Sequence, residues 1–305
     1  MMTKHPKAWI LLAGSLLLSA AAAAAAATQA TAATPENAVR TDPGQCDMVQ
    51  YGRRRPTYYA EEQRTLSAAA ISKLSVRPPK NGGVRVEGWD RKEISVTACK
   101  AVPADDEAAA KRRLDSIRMK IDGGNVTAEG PGEDEWSVHF LVRVPANINL
   151  EVNTHNGPID LRDVSGTIVA RTTNGPIGLK RCTGSIDAEA QNGPIALNDS
   201  SGKVKIAAYN GPLDVRLRDQ QWKGEGLDAS THNGPLELSL PSGYSSGVEV
   251  VSDGHSPFRC EPCTAANRTW DNDGTRRARL GAPGAPVVVR ISTVNGPVAI
   301  RGSMQ

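Results

Sequence analysis

Asn156-Gly157-Pro158-Ile159, Asn174-Gly175-Pro176-Ile177, Asn192-Gly193-Pro194-Ile195 and Asn210-Gly211-Pro212-Leu213 recur at a step of 18 residues. Two later copies, Asn233-Gly234-Pro235-Leu236 and Asn295-Gly296-Pro297-Val298, keep the phrase and break the step. A fixed period makes each unit one structural rung, which must stack on its neighbours to bury anything. Six, four and two residues before each Asn stand apolar or small residues, from Leu150, Val152 and Thr154 in the first copy to Val289, Ile291 and Thr293 in the last. The interleaved positions Asn153, Arg171, Glu189, Ala207, Ser230 and Ser292 are mostly polar. Three and five residues after the Asn come Ile159 and Leu161, then their equivalents through Val298 and Ile300. Period two with one apolar face, on both sides of the phrase, predicts two half-buried strands per rung.

Gly166, Gly184 and Gly202 punctuate the opposite corner at the same step. Proline has no N–H for a ladder and disfavours a helical residue before it, so the repeated Pro belongs to a corner. Glycine supplies the backbone angles a corner needs. The Asn column (Asn156, Asn174, Asn192, Asn210, Asn233, Asn295) has two readings, tolerance of a left-handed turn or a hydrogen-bonded amide ladder running from rung to rung. The pattern predicts an all-β fold, a parallel β-solenoid with 18-residue rungs, right-handed by the general rule for parallel crossovers.

Working outward, the N-terminus reads as an export leader over residues 1–27. Lys4 and Lys7 form its basic region, Trp9 to Leu18 and the following alanines its apolar stretch. An uncleaved anchor is the rival, but alanine is a poor membrane residue. Residues 28–65 read as a disordered or weakly ordered lead-in, and 66–305 as the solenoid domain. Within it, Val84, Val86 and then Ile94, Val96 and Ala98 alternate around Gly88-Trp89-Asp90, which predicts two strands joined by a turn. Asp105 to Ile121 predicts a short helix with Asp105 as N-cap, acids early and Lys111-Arg112-Arg113 late. Ala110, Leu114, Ile117 and Ile121 give it one apolar face to lay on the sheet. The segment 79–145 is thus expected to cap or continue the solenoid at its N-terminal end. After the fifth copy the period is disturbed, Asp253-Gly254 reads as a degenerate corner, and 255–285 is turn-rich.

The chain has 305 residues, 39% of them hydrophobic and only 4% aromatic, so Ala, Val, Ile, Leu and Thr must supply the packing. Net charge is +3, and +1 once Lys4 and Lys7 leave with the leader. A nearly neutral chain gives no electrostatic reason to expect nucleic acid.

The order Gly83-Val84-Arg85-Val86-Glu87-Gly88-Trp89-Asp90, a charged helix, Val142-Arg143-Val144-Pro145-Ala146 and then Thr-x-Asn-Gly corners resembles the bacterial DUF4097 family of adhesin-like proteins. Trp222-Lys223-Gly224-Glu225-Gly226-Leu227 and Leu240-Pro241-Ser242-Gly243-Tyr244 are similar to its pattern, so the resemblance spans about residues 66–305. It implies an exported or envelope-associated β-solenoid without catalytic residues to transfer. The uniform Pro after each Asn-Gly and the excursion containing Cys260 depart from that pattern.

Cys260-Glu261-Pro262-Cys263 has the spacing of a redox motif, but that chemistry wants the first Cys at a helix N-terminus. Asn, Asp and Gly follow instead, so an exported chain is expected to use the pair as a loop-stapling disulfide. Cys46 and Cys99 are candidates for a second disulfide, and Cys182, aligned with Val164 and Ser200, reads as a small buried filler. Gly243-Tyr244-Ser245-Ser246-Gly247 matches a nucleophile-elbow string, but strand-like Val248 to Val251 stands where a helix is required. His155 and His232 lie on rungs too far apart to share a metal, and Asp271-x-Asp273-Gly274 is turn chemistry rather than a calcium loop. No catalytic residue, metal or cofactor is expected. The expected role is an exported, envelope-associated binding or structural module, at the periplasm or cell surface, whose partner is an envelope protein or glycan, with self-association through the solenoid ends open. The alternatives are a β-helix carbohydrate-active enzyme, which needs acids and bases converging on one face, or a self-assembling envelope scaffold.

Overall fold

The computed structural model describes Val39, Cys46 and residues 56–132, 135–253 and 256–302. The expected leader and most of the lead-in lie outside them. Among the described residues the strands form two sheets, one of eleven and one of twelve, facing each other across one core. Six rungs build the middle. They are Asn149–Asn156 with Ile159–Arg162, Ser165–Asn174 with Ile177–Lys180, Thr183–Asn192 with Ile195–Asn198, Ser201–Asn210 with Leu213–Arg216, Gly226–Asn233 with Leu236–Leu240, and Val287–Asn295 with Val298–Gly302. The first strand of every rung joins the twelve-stranded sheet and the second the eleven-stranded one.

All pairing between rungs is parallel and in register. Leu150, Ile168, Ile186, Val204, Leu227 and Val289 form one continuous column. Ile159, Ile177, Ile195, Leu213, Leu236 and Val298 form the facing one. Every member of both columns is buried. Burial of aliphatic side chains between two sheets, at about 25 cal/mol per Å² of apolar surface, is the term that holds the rungs together.

A further rung precedes these six. Lys73–Val76 stacks on the first rung in one sheet and Val84–Trp89 in the other, with Asn81-Gly82-Gly83 at the corner between them. Beyond it Asn125–Glu129 and Ser137–Pro145 add one more parallel layer. Pairing then turns antiparallel, with Glu93–Pro103 on Ser137–Pro145 and Thr57–Ser67 on Glu93–Pro103. The two strands expected around Gly88-Trp89-Asp90 exist but do not pair with each other, because Ser137–Pro145 lies between them. The lead-in is corrected at its C-terminal end, since 57–65 belong to the ordered edge strand Thr57–Ser67.

The helix is shorter than the sequence pattern predicts, Glu107–Ser116. Its N-cap is Asp106, whose carboxylate accepts the Ala109 N–H at 2.7 Å. Ala110 and Leu114 face the core, but Ile117 is already extended and Ile121 sits in the strand Arg118–Asp122. Tertiary pairing with Asn125–Glu129 overrides the weak continuation of helical spacing there.

The C-terminal end reverses chain order. The sixth rung, made by residues 287–302, pairs directly with the fifth. Gly247–Ser252 and Phe258–Cys260 come earlier in the chain yet pack outside it. The physical reason is complementarity, because residues 289–300 carry the Asn-Gly-Pro corner and the inward residues that fit the fifth rung. Arg276–Leu280 and Arg268–Trp270 close this end with antiparallel pairs. Of the expected degenerate corner, only Asp253 lies among the described residues.

Candidate functional site

The Asn-Gly-Pro corners form a ladder. Asn174 Nδ2 donates to Asn156 Oδ1 at 2.8 Å, and Asn192, Asn210, Asn233 and Asn295 each donate to the Asn of the rung beneath at 2.9–3.0 Å. Asn156 donates in turn to Asn81 at 3.0 Å, a seventh member that the proline-free Asn81-Gly82-Gly83 corner concealed. None of these Asn residues has a positive φ. At most of these corners Gly is required by close contact rather than by backbone angle, only Gly175 and Gly193 having a positive φ, of 156° and 157°. A Cβ on Gly157, Gly193, Gly211 or Gly234 would overlap the carbonyl oxygen of the corner Gly stacked beneath it. Thr154, Thr231 and Thr293 donate their hydroxyls to the corner carbonyls of Gly157, Gly211 and Gly234 at 3.0, 2.8 and 3.2 Å, which explains the Thr in Thr-x-Asn-Gly.

The opposite corner uses left-handed backbone. Asp163, Arg181 and Asp199 have φ of 57°, 52° and 52°. Aspartate is a residue type that enters this region comparatively readily, which suits Asp163 and Asp199, and Arg181 is held there by a bidentate bond to Asp163. That bond holds the Asp163 carboxyl below its usual range. Cys182 is fully buried between Val164 and Ser200 in this column, and burial pushes its thiol up to about 11.

The other cysteines lie in pairs. Cys46 is bonded to Cys99, and both are buried with Tyr59 and Ala101 in a small cluster separate from the main core. Cys260 is bonded to Cys263, at the end of the three-residue edge strand Phe258–Cys260. Arg268 donates to the carbonyls of both residues at 3.0 and 3.3 Å. A short turn, Ala265–Asn267, follows in place of the helix a redox pair needs. Gly247, the last residue of the nucleophile-elbow string, opens the strand Gly247–Ser252.

Two buried ionisable sites lie in the N-terminal cap. Lys100 Nζ is 2.8 Å from Glu62 Oε2, with the two side chains 1% and 6% exposed, and it also donates to the Ile117 carbonyl at 2.8 Å. Burial opposes ionisation of Glu62, but Lys100, Arg64 and the Met119 amide together hold its carboxyl below the usual range. His139 Nδ1 accepts the Gly83 N–H at 3.1 Å, and burial lowers its pKa to about 4.

On the outer faces, ionised groups are taken up across rungs. Glu151 binds both Lys73 and Arg77, and the Lys73 hydrogen bond leads in lowering its pKa to about 2. Arg171 donates to the Asp187 carboxylate at 2.6 Å and to its carbonyl at 2.8 Å, with Glu189 at 3.4 Å. Beside Arg171 a groove of about 510 Å³ runs over the twelve-stranded sheet, lined by Asn153, Arg171, Thr173, Glu189, Gln191 and Tyr209. Sequence reasoning found the outward positions Asn153, Arg171 and Glu189 but missed Tyr209 and Gln191. The signal was available, since both directly precede a ladder Asn, as His155 and His232 do. Among the described residues no group of three or more His, Cys, Asp and Glu is placed to hold a metal ion.

Among solved structures, a candidate cell-adhesion protein from Clostridium sporogenes aligns with 80% of this chain and 100% of its own, at 9% identity and a TM-score of 0.35. A candidate adhesin from Bacteroides fragilis aligns over 80% and 97% of the two chains, at 7% identity and a TM-score of 0.39. One from Parabacteroides distasonis aligns over 79% and 97%, at 12% identity and a TM-score of 0.36. Likeness of that order carries no functional inference. No protein-family model matches the chain, and no curated protein matches it.

Proposed function

We propose that this chain is an exported, envelope-associated β-solenoid of the adhesin-like kind, acting as a non-catalytic binding module for an envelope glycan or protein. One observation carries the reading. Stacked in-register rungs present a continuous outer face on which Arg171 is spent on Asp187 and Glu189 of the next rung, while Asn, Thr and Gln side chains and an aromatic ring remain at the surface. A repeated face of fixed spacing suits an extended ligand, because each rung offers its groups at the same height. The Asn ladder and the corner glycines serve the stack itself, and they leave the faces between corners to do the binding.

The test is retention on isolated cell envelopes, run beside an assay for released reducing ends on cell-wall polysaccharide. Saturable retention without product supports a binding module. Product release refutes it and favours a carbohydrate-active enzyme. Concentration-dependent filaments in sedimentation would instead favour a self-assembling scaffold.

A further inference from the structure

His155, Thr173, Gln191, Tyr209, His232 and Val294 occupy equivalent positions on successive rungs, each directly before a ladder Asn. This column points outward, and it holds two of the three exposed large hydrophobic residues among the described residues. Tyr209 is 55% exposed and Val294 37%. The Tyr209 ring stacks on His232 with centroids 4.9 Å apart and planes 8° from parallel. One aromatic face is thereby covered and the ring held upright. The rung of Gln191 lies on the opposite side of Tyr209 from that of His232, so the uncovered face is turned toward the 510 Å³ groove, which Tyr209 lines and His232 does not.

An aromatic face beside a groove of amides and hydroxyls matches the two-sided chemistry of a sugar ring. A pyranose offers one face of C–H groups, which packs on the electron-rich face of an aromatic ring. Its rim carries hydroxyls that both donate and accept. Asn153, Gln191 and Thr173 do the same, and Glu189 accepts. Charge decides between sugars. The one cation lining the groove, Arg171, is engaged by Asp187 and Glu189, so an anionic chain would meet the Glu189 carboxylate and no uncommitted positive group in the lining. An uncharged chain meets no such penalty. Rungs spaced about 4.8 Å apart set the polar groups in a row along the stack, over which an extended chain can lie.

We infer that the groove between Tyr209 and Asn153 binds an uncharged carbohydrate chain, with Tyr209 as the stacking platform and Gln191, Thr173 and Asn153 as hydrogen-bonding groups. The assignment rests on the binding-module reading and names its ligand class and site.

The experiment is calorimetric titration of the purified chain with hexamers of β-linked glucose, β-linked N-acetylglucosamine and α-linked mannose, with polygalacturonate as the anionic comparison. At least one neutral hexamer binds, with little dependence on salt. Tyr209→Ala weakens that binding roughly tenfold or more, whereas Tyr209→Phe stays within about threefold because it keeps the ring. Trp270→Ala, at an exposed ring outside the groove, leaves it unchanged. Should Tyr209→Ala also lower the melting temperature, Gln191→Ala replaces it as the test, with a weakening of about threefold or more. The assignment is overturned if no neutral hexamer binds, if polygalacturonate alone binds, or if the groove variants bind like the parent. If the chain fails every hexamer yet is still retained by cell envelopes, this site assignment falls and the binding-module reading stands. Release of reducing ends in the same titration would overturn the binding-module reading itself.

Discussion

His139 makes the stability of the N-terminal cap depend on pH. The residue is 8% exposed and its Nδ1 accepts from the Gly83 amide, so the folded chain holds it neutral, with the proton on Nε2. Burial lowers its pKa from the ordinary 6.5 to about 4. Protonating Nδ1 would set two donors face to face and leave the Gly83 N–H without its acceptor. Below pH 6.5 the unfolded chain therefore takes up a proton that the folded chain refuses. Stability is complete above pH 6.5 and falls as pH drops toward 4, at up to about 1.4 kcal/mol per pH unit. By pH 5 the loss attributable to this one residue is about 2 kcal/mol. The window is separable from the carboxylates, because Glu62 and Glu151 have lowered folded values and lose their contribution only below the ordinary carboxylate range. Urea unfolding at intervals from pH 7.5 to pH 4.8, for the parent and for His139→Asn, measures it. The Asn variant keeps an acceptor near the Nδ1 position but does not titrate, so its stability should be nearly flat across the window. A parent flat over the same range, or a variant that falls in parallel with it, would refute the assignment.

Other substitutions test the stack directly. Gly211→Ala drives a methyl into the carbonyl of Gly193 and should cost about 1–3 kcal/mol or more, whereas Gly302→Ala, with open space around it, should be neutral in the same melting experiment. Lys100→Met alone leaves buried Glu62 with only the half-exposed Arg64 as counter-charge and should cost about 3 kcal/mol. The double variant Lys100→Met with Glu62→Leu should recover most of that loss; if it is no better than the single variant, the Lys100–Glu62 pair is not what the cap depends on. Cys260 and Cys263 should resist alkylation in the native protein until a reductant is added, and Cys182 until the chain is also unfolded. Free labelling of Cys260 in the native form would remove the staple from the edge strand.

The parallel solenoid was legible because its information is local and periodic. Alternation on either side of Asn-Gly-Pro assigns Leu150, Val152, Ile159 and Leu161 to the interior, and an 18-residue step repeats the assignment rung after rung. The Asn column was equally visible, but a sequence cannot distinguish an amide that tolerates a turn from one that donates to its neighbour. The rung-to-rung distances of 2.8–3.0 Å belong to the stack. Gly175 and Gly193 likewise announce a corner, while the close carbonyl beneath each one exists only after stacking.

The pairing order at both ends was opaque for a common reason. Where the period stops, pairing is decided by which free edge a strand fits best, and that competition is settled between segments far apart in the chain. Residues 287–302 displace 247–260 from the fifth rung because they carry the full set of matching inward residues and the ladder Asn. Ser137–Pro145 separates two strands that are neighbours in sequence, and the pairing of Arg118–Asp122 with Asn125–Glu129 ends the helix at Ser116. The Tyr209 groove follows the same logic. Sequence alone marks its residues as outward-facing and polar or aromatic, one rung at a time. Only stacking covers one face of Tyr209 with His232, commits Arg171 to Asp187 and Glu189, and leaves the remaining groups in a row, because each of those contacts joins residues of different rungs.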